Sequence, residues 1–327
     1  MIKISLFGGF RVCQANSQVE IKMNRSEQRL LAYLLLKRNR IVSRGKLYGT
    51  LWADRSEENA RNCLKTALSR LRMALGEPWG GKESYIVTSR AGEVGFNMKS
   101  DHWLDVAIFE EQIGRVTMKT VEAMEPDDAV RLENVLRLYI GELLEGTYND
   151  WVFFERERLH DLHLKGMEQM LRYKNRLRAF EEAASWGRRI LLYDPLRENI
   201  HRELMQIYSE RGEGGLAIRQ YANCREIMEE QLGNSPSKET DTLYYEIMKR
   251  HPSRLSGRLP FPSLPGPNPG GSRRPQEFGP HFEIVPTLGG LPTPDLPGAK
   301  GNIEFVIVEL TRTYKKGHSS VSRQPAQ

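Results

Sequence analysis

Between residues 251 and 300 the chain carries 12 of its 17 prolines and 8 of its 28 glycines, so 20 of those 50 positions are proline or glycine. Proline lacks a backbone donor and glycine is costly to order, so this stretch cannot form a packed helical or sheet core. Whatever folds must lie ahead of it, and that leaves more chain than one ordinary domain of ~100 to 150 residues uses. Residues 251–301 read as a Pro/Gly-rich linker or disordered tail. Beyond them Asn302–Tyr314 (NIEFVIVELTRTY) is strand-like, and residues 302–327 read as a possible strand of a truncated C-terminal element.

Charge divides the remaining chain in two. The whole carries only +6, but residues 1–100 hold 18 basic and 8 acidic side chains while residues 101–250 hold 21 and 29. A basic segment joined to an acidic one suggests that the first meets a polyanion and the second meets protein or solvent. Cys13, Cys63 and Cys224 lie too far apart in sequence for a CxxC pair or metal-ligand spacing, and they fit a reducing cytoplasm. The start, MIKISLFGGF, lacks the basic and apolar regions of a signal peptide. The longest apolar run, Leu30 to Leu36, is far short of the ~18 residues that span a bilayer, so no membrane partner is expected.

Periodicity changes along residues 1–99. Ile2, Ile4 and Leu6 alternate, Gly8-Gly9 breaks the run, and Phe10–Cys13 and Val19–Met23 flank a polar turn at Asn16-Ser17, which predicts a small antiparallel sheet. Asn24 with Glu27 forms a capping-box pattern ahead of Leu30, Leu31, Leu34 and Leu35 at helical spacing, up to Asn39. Ser43 caps a second helix carrying Leu47, Leu51 and Trp52. A third helix runs from Ser56 to about Leu75 and stops at Gly76, which suits a left-handed cap. Tyr85–Thr88 and Val94–Asn97 then form a hairpin with Ser89 and Arg90 at its tip. A sheet, three helices and a terminal hairpin make the winged-helix plan, in which a helix enters the major groove.

The third helix carries the functional expectation. Leu64, Leu68, Leu71 and Leu75 form its apolar stripe, and at ~100° per residue the opposite face holds Asn59, Asn62, Thr66, Ser69 and Met73, flanked by Lys65 and Arg70. Short hydrogen-bonding groups ringed by cations are what base reading plus phosphate anchoring requires. Asn62 can bond an adenine edge in bidentate fashion, Lys65 or Arg70 can reach guanine or phosphate, and Thr66 and Ser69 can approach either. Arg61 and Arg72 sit nearer the apolar stripe and are assigned to phosphates or intramolecular pairs, and Arg90 to phosphate or minor groove. From amphipathicity alone a plain solvated helix face remains the alternative.

Residues 100–250, from Trp103 to Met248, read as all-helical. Tyr173 and Tyr208 lie 35 positions apart, as do Trp186 and Tyr221, close to the ~34-residue period of tetratricopeptide helix pairs.

The runs SEQRLLAYLLLKRNRIVSRGKLYGTLW (Ser26–Trp52), ENARNCLKTALSRLRMALG (Glu58–Gly76) and YIVTSRAGEVGF (Tyr85–Phe96) resemble the OmpR-type winged helix of the Streptomyces antibiotic regulatory protein (SARP) family. The hairpin departs from that family's usual Gly-Tyr-Arg-Leu-like ending with Glu93-Val94-Gly95-Phe96. HWLDVAIFEEQI (His102–Ile113), WVFFERERL (Trp151–Leu159) and the stretch from Asp194 to Thr240 resemble the tetratricopeptide-related bacterial transcriptional activator domain (BTAD) of the same family. The fold implied is mainly α. The resemblance implies a cytoplasmic transcriptional regulator, more an activator than a repressor, that binds double-stranded DNA at promoter direct repeats and recruits RNA polymerase. A homodimer contact through the acidic half is a further expectation.

No GxxxxGK[ST], GxSxG or HExxH motif occurs, so no cofactor and no enzymatic role is expected. His160 and His163 could share a helix face, but beside Asp161 in a charged helix they read as ordinary residues rather than metal ligands. A sheet starting at Ile2 leaves no room for a phosphoacceptor receiver ahead of it, so aspartyl phosphorylation within this chain is not expected. Two other readings stay open. One is a protein-binding scaffold with only non-specific DNA affinity, and the other is a truncated form of a larger signalling regulator.

Overall fold

Alternation at Ile2, Ile4 and Leu6 buries one face of strand β1 (Ile2–Ser5), which pairs antiparallel with β2 (Arg11–Gln14) so that Ile4 faces Val12. The computed structural model describes residues 1–15, 19–38, 40–76 and 84–252, all within one unit, Met1–Phe261. The turn at Asn16-Ser17, the tail after Pro252 and the run Asn302–Tyr314 lie outside the described residues.

Helix α1 (Arg25–Leu36) starts at the expected capping box. The Asn24 side chain accepts from the Ser26 and Glu27 amides, and Glu27 Oε2 accepts from the Asn24 amide at 2.9 Å. Ser43 caps α2 (Arg44–Leu51) and Ser56 caps α3 (Glu57–Ala74). Gly76 ends α3 at φ +73°, a left-handed conformation that a side chain would strain. Strands β3 (Ile86–Thr88) and β4 (Val94–Phe96) form the wing, which Val42 joins through a bridge to Val94.

The sheet differs from expectation in two respects. Val19–Met23 contributes only an isolated bridge, Cys13 to Glu20, instead of a strand. The third strand is β5 (His102–Leu104), which runs parallel to β1, with Lys3 opposite Trp103, in the order β2-β1-β5. Trp103 is therefore in a strand, not a helix, and the sheet draws on residues beyond 99. Three residues are too few to show a period, and a parallel partner 100 positions away leaves no local trace.

From β5 the chain passes directly into α4 (Asp105–Thr117), α5 (Pro126–Leu136), α6 (Asp150–Arg176), α7 (Phe180–Tyr193), α8 (Glu198–Glu210), α9 (Gly214–Leu232) and α10 (Lys238–Arg250). Tyr173 on α6 and Tyr208 on α8 are both buried, which places the 35-residue spacing on alternate helices of a stack. Gly187 lets α7 approach α8 closely, because a Cβ there would meet Leu204 at 2.7 Å. Among the described residues no helix is long and apolar enough to cross a membrane.

Winged helix and helical stack share one core. Phe7, just past β1, packs on Phe109 and Tyr139 with ring centroids 4.9 Å away in each case. The Asp105 carboxylate accepts the buried Leu6 and Phe7 amides at 2.7 and 3.0 Å and the Val106 amide at 2.7 Å. Burial pushes this carboxyl up to about 6 against those three donors. The Leu144 amide donates to the Leu6 carbonyl at 2.8 Å, and the Gly8 amide to that of Glu142 at 2.9 Å. On the far side of α1, Lys37 pairs with Glu155 at 2.8 Å, while Arg38 and Arg158 both pair with Glu110.

His163 is a core residue of this junction. It is 1% exposed, stacks on Tyr139 at 4.3 Å, and neither ring nitrogen has a hydrogen-bond partner. Burial, then the charges of Arg189 and His160, push its pKa down to about 3. Below the ordinary value of ~6.5 the unfolded chain binds a proton that the native state refuses, so stability falls with pH. His163→Leu removes the penalty along with two unpaired polar atoms. Relative to the parent, the variant is expected to be at least as stable at pH 7 and to gain about 2 kcal/mol by pH 5 in urea unfolding. Parallel stability curves for the two proteins would show that the imidazole is not held neutral.

Candidate nucleic-acid interface

Helix α3 is fastened by its leucines and presents the opposite face to solvent. Leu64, Leu68 and Leu71 are at most 3% exposed, and Leu75, just past the helix, is also buried. Asn59, Asn62, Lys65, Thr66, Ser69 and Arg70 are all exposed. Among the described residues no hydrogen bond or ion pair engages the side chains of Asn62, Lys65, Thr66, Ser69 or Arg70, nor that of Arg90 in the wing. A row of donors and acceptors without intramolecular partners is free to bond base edges and phosphates.

The structure divides this row. Asn62, Thr66 and Arg70, one helical turn apart in succession, line a hollow of about 330 Å³ together with Asn59, Ser26 and Arg55. Lys65 and Ser69 are rotated outside that hollow. Arg61 and Arg72, assigned to phosphates or intramolecular pairs, both have an intramolecular partner. Arg61 pairs with Glu57 at 2.5 Å, and Arg72 donates to Thr88 Oγ1 at 2.8 Å, joining α3 to the wing. Hydrogen bonds from Tyr48 and then Arg61 hold the Glu57 carboxyl below the usual range. Arg90 is exposed at the wing tip.

Two cations of this region escape sequence reasoning. Arg55, in the turn before α3, lines the hollow and donates to Cys63 Sγ at 3.0 Å. Arg44 donates from Nε to the Gly92 carbonyl at 2.8 Å and so braces the wing tip on α2. Neither lies on the polar face of α3, so helical spacing had no means to select them. Asn24, read only as a helix cap, and Ser26, to which helical spacing assigns no site role, also line the hollow. His160 rests edge-on against Tyr139 and Tyr193, and His163 is sealed in the core.

A family model described as "Transcriptional regulatory protein, C terminal" matches residues 18–96, and one described as "Bacterial transcriptional activator domain" matches residues 104–248. The regulatory protein AfsR of Streptomyces coelicolor is 25% identical over 231 residues, 69% of this chain and 22% of that protein. The transcriptional regulatory protein MoaR1 of Mycobacterium tuberculosis is 25% identical over 251 residues, 71% of this chain and 75% of its own length. The chain thus spans about a fifth of the length of the AfsR proteins it matches. Among solved structures, Mycobacterium tuberculosis EmbR in complex with a low affinity phosphopeptide superposes with a TM-score of 0.66 at 17% identity, covering 77% of this chain and 66% of that one.

Proposed function

The chain belongs to the SARP-like transcriptional regulators, with an OmpR-type winged helix followed by a bacterial transcriptional activator domain, and from that premise we propose that it reads specific promoter DNA through α3 and activates transcription. The observation that carries the reading is the exposed, unpartnered row Asn62, Lys65, Thr66, Ser69 and Arg70 on a helix fastened by buried leucines. Asn62, Thr66 and Arg70 approach base edges, Lys65 and Arg90 anchor phosphates, and Arg55 supports them. Arg61 and Arg72 hold α3 in register with α2 and the wing. Two copies occupy direct repeats, and the acidic helical half contacts RNA polymerase in the cytoplasm. The shared core between the halves supports this use, since a polymerase contact made by the helical stack is held at a fixed pose to the DNA.

The test is selection of bound sequences from a random duplex library with full-length protein at ~150 mM salt, where non-specific phosphate binding is suppressed. Enrichment of two direct copies spaced by ~10 to 11 base pairs, or a multiple, is the expected result. No enrichment from folded protein would favour a scaffold that binds DNA only through charge. On the selected site Asn62→Ala is expected to cost ~1 to 3 kcal/mol and to relax preference at one base pair. Uniform weakening on all sequences would remove Asn62 from base reading.

A further inference from the structure

A second cleft lies at the other end of the winged helix. Its volume is about 640 Å³, and it opens between the C-terminal end of α1, the start of α2, the wing, and helices α4 and α6. Five cations line it, Lys37, Arg38, Arg40, Lys46 and Arg158, against three carboxylates, Glu93, Glu110 and Glu155. The carboxylates are already in use. Glu110 serves Arg38 and Arg158, Glu155 serves Lys37 and Arg158, and Glu93 Oε2 accepts from Ser89 Oγ at 3.3 Å. Arg40 and Lys46 are exposed and no carboxylate among the described residues pairs with either. Beside them Ile41 leaves an apolar surface 52% exposed.

We propose that this cleft binds a small organic phosphate, with its dianionic head on Arg40 and Lys46 and its apolar part on Ile41. The surplus of two positive charges in the lining matches a phosphate monoester, and a guanidinium beside an ammonium supplies both a fork and a point charge to its oxygens. The reading hollow on α3 shares no lining residue with this cleft. The reading hollow is lined by Asn24 and Ser26 at the start of α1, whereas the cleft is lined by Leu36 and Lys37 at its end, about 18 Å away along a helix of 12 residues. Clefts between packed units are common ligand sites, and this one has walls from both the DNA-reading and the helical halves. An occupant held by Arg40, Ile41 and Lys46 therefore sits in a cleft whose other lining includes Glu110, Glu155 and Arg158 of the helical half.

The experiment uses the full-length protein without DNA, so its failure leaves the promoter-reading proposal untouched. Phenyl phosphate is titrated against sodium chloride of equal ionic strength while Tm is followed. A saturable rise of about 5 °C at a hundredfold excess over Kd is expected. Arg40→Gln with Lys46→Gln should abolish it, and because both side chains are exposed and unpaired, the double variant's own Tm without ligand should match the parent's. Lys65→Gln with Arg70→Gln on α3 should retain the rise. No rise in the parent, a rise surviving Arg40→Gln with Lys46→Gln, or a loss confined to the α3 double variant would overturn the site. Equal binding of inorganic phosphate would overturn the organic part of the assignment.

Discussion

A fragment ending at residue 99 is expected to be largely unfolded at 25 °C, whereas residues 1–252 should unfold cooperatively. The cut removes β5, which turns β1 from the central strand of the sheet into an edge. It strips Phe109 and Tyr139 from Phe7 and takes away the carboxylate that accepts the Leu6 and Phe7 amides. Ile4, Leu6 and Phe7, each 0% exposed in the whole protein, then lose part of their cover. Uncovering large apolar side chains costs roughly 1.5 to 3 kcal/mol each, and two orphaned amides add ~1 to 3 kcal/mol apiece. The total is comparable with the ~5 to 15 kcal/mol that holds an ordinary domain together. Far-UV circular dichroism and amide dispersion in NMR spectra would decide the matter. A folded fragment 1–99 that selects the same DNA site as the full chain would show that α1 to α3 and the wing suffice by themselves, and that the shared core serves only to orient the helical half.

Asp105→Ala is expected to be the most damaging single substitution at the junction, with a loss of about 3 to 5 kcal/mol in urea unfolding at pH 7. The residue is 3% exposed, and its removal leaves the Leu6 and Phe7 amides buried without an acceptor. The native pKa is pushed above the ordinary carboxylate value, to about 6, so the folded protein takes up this proton before the unfolded chain does. Wild type therefore gains stability relative to the variant as pH falls from about 6 towards 4, and the loss should be larger at pH 5 than at pH 7. Asp105→Asn keeps one carbonyl oxygen for the two amides and should cost less, with little of the pH dependence. A loss below about 1 kcal/mol for Asp105→Ala would mean that relief from burying the carboxyl offsets the orphaned amides.

The features that sequence made legible are local. The capping box at Asn24 and Glu27, the caps at Ser43 and Ser56, the left-handed stop at Gly76 and the leucine stripe of α3 each depend on residues within a few positions of one another. The 35-residue spacing of Tyr173 and Tyr208 extended that legibility to the helical stack, because each repeat is itself a local unit. The exposed row of α3 followed from the same arithmetic, since fixing which face is buried also fixes which face is free.

Pairings between distant residues decided the rest. Whether Arg72 is free could not be read from α3, because its partner, Thr88, belongs to the wing. Arg55 and Ser26 joined the hollow beside α3 only when α1 and the turn before α3 were placed next to it. The junction is the clearest case. Asp105 sits in sequence at the start of an amphipathic helix, where an acidic residue is ordinary, and its role as acceptor for amides 98 and 99 positions away exists only once β1 and α4 meet. Periodicity reports how a residue relates to its own element's axis. Burial of polar groups forces partners to be found across the whole chain, so tertiary structure determined which cations remain free and that the two halves share one core.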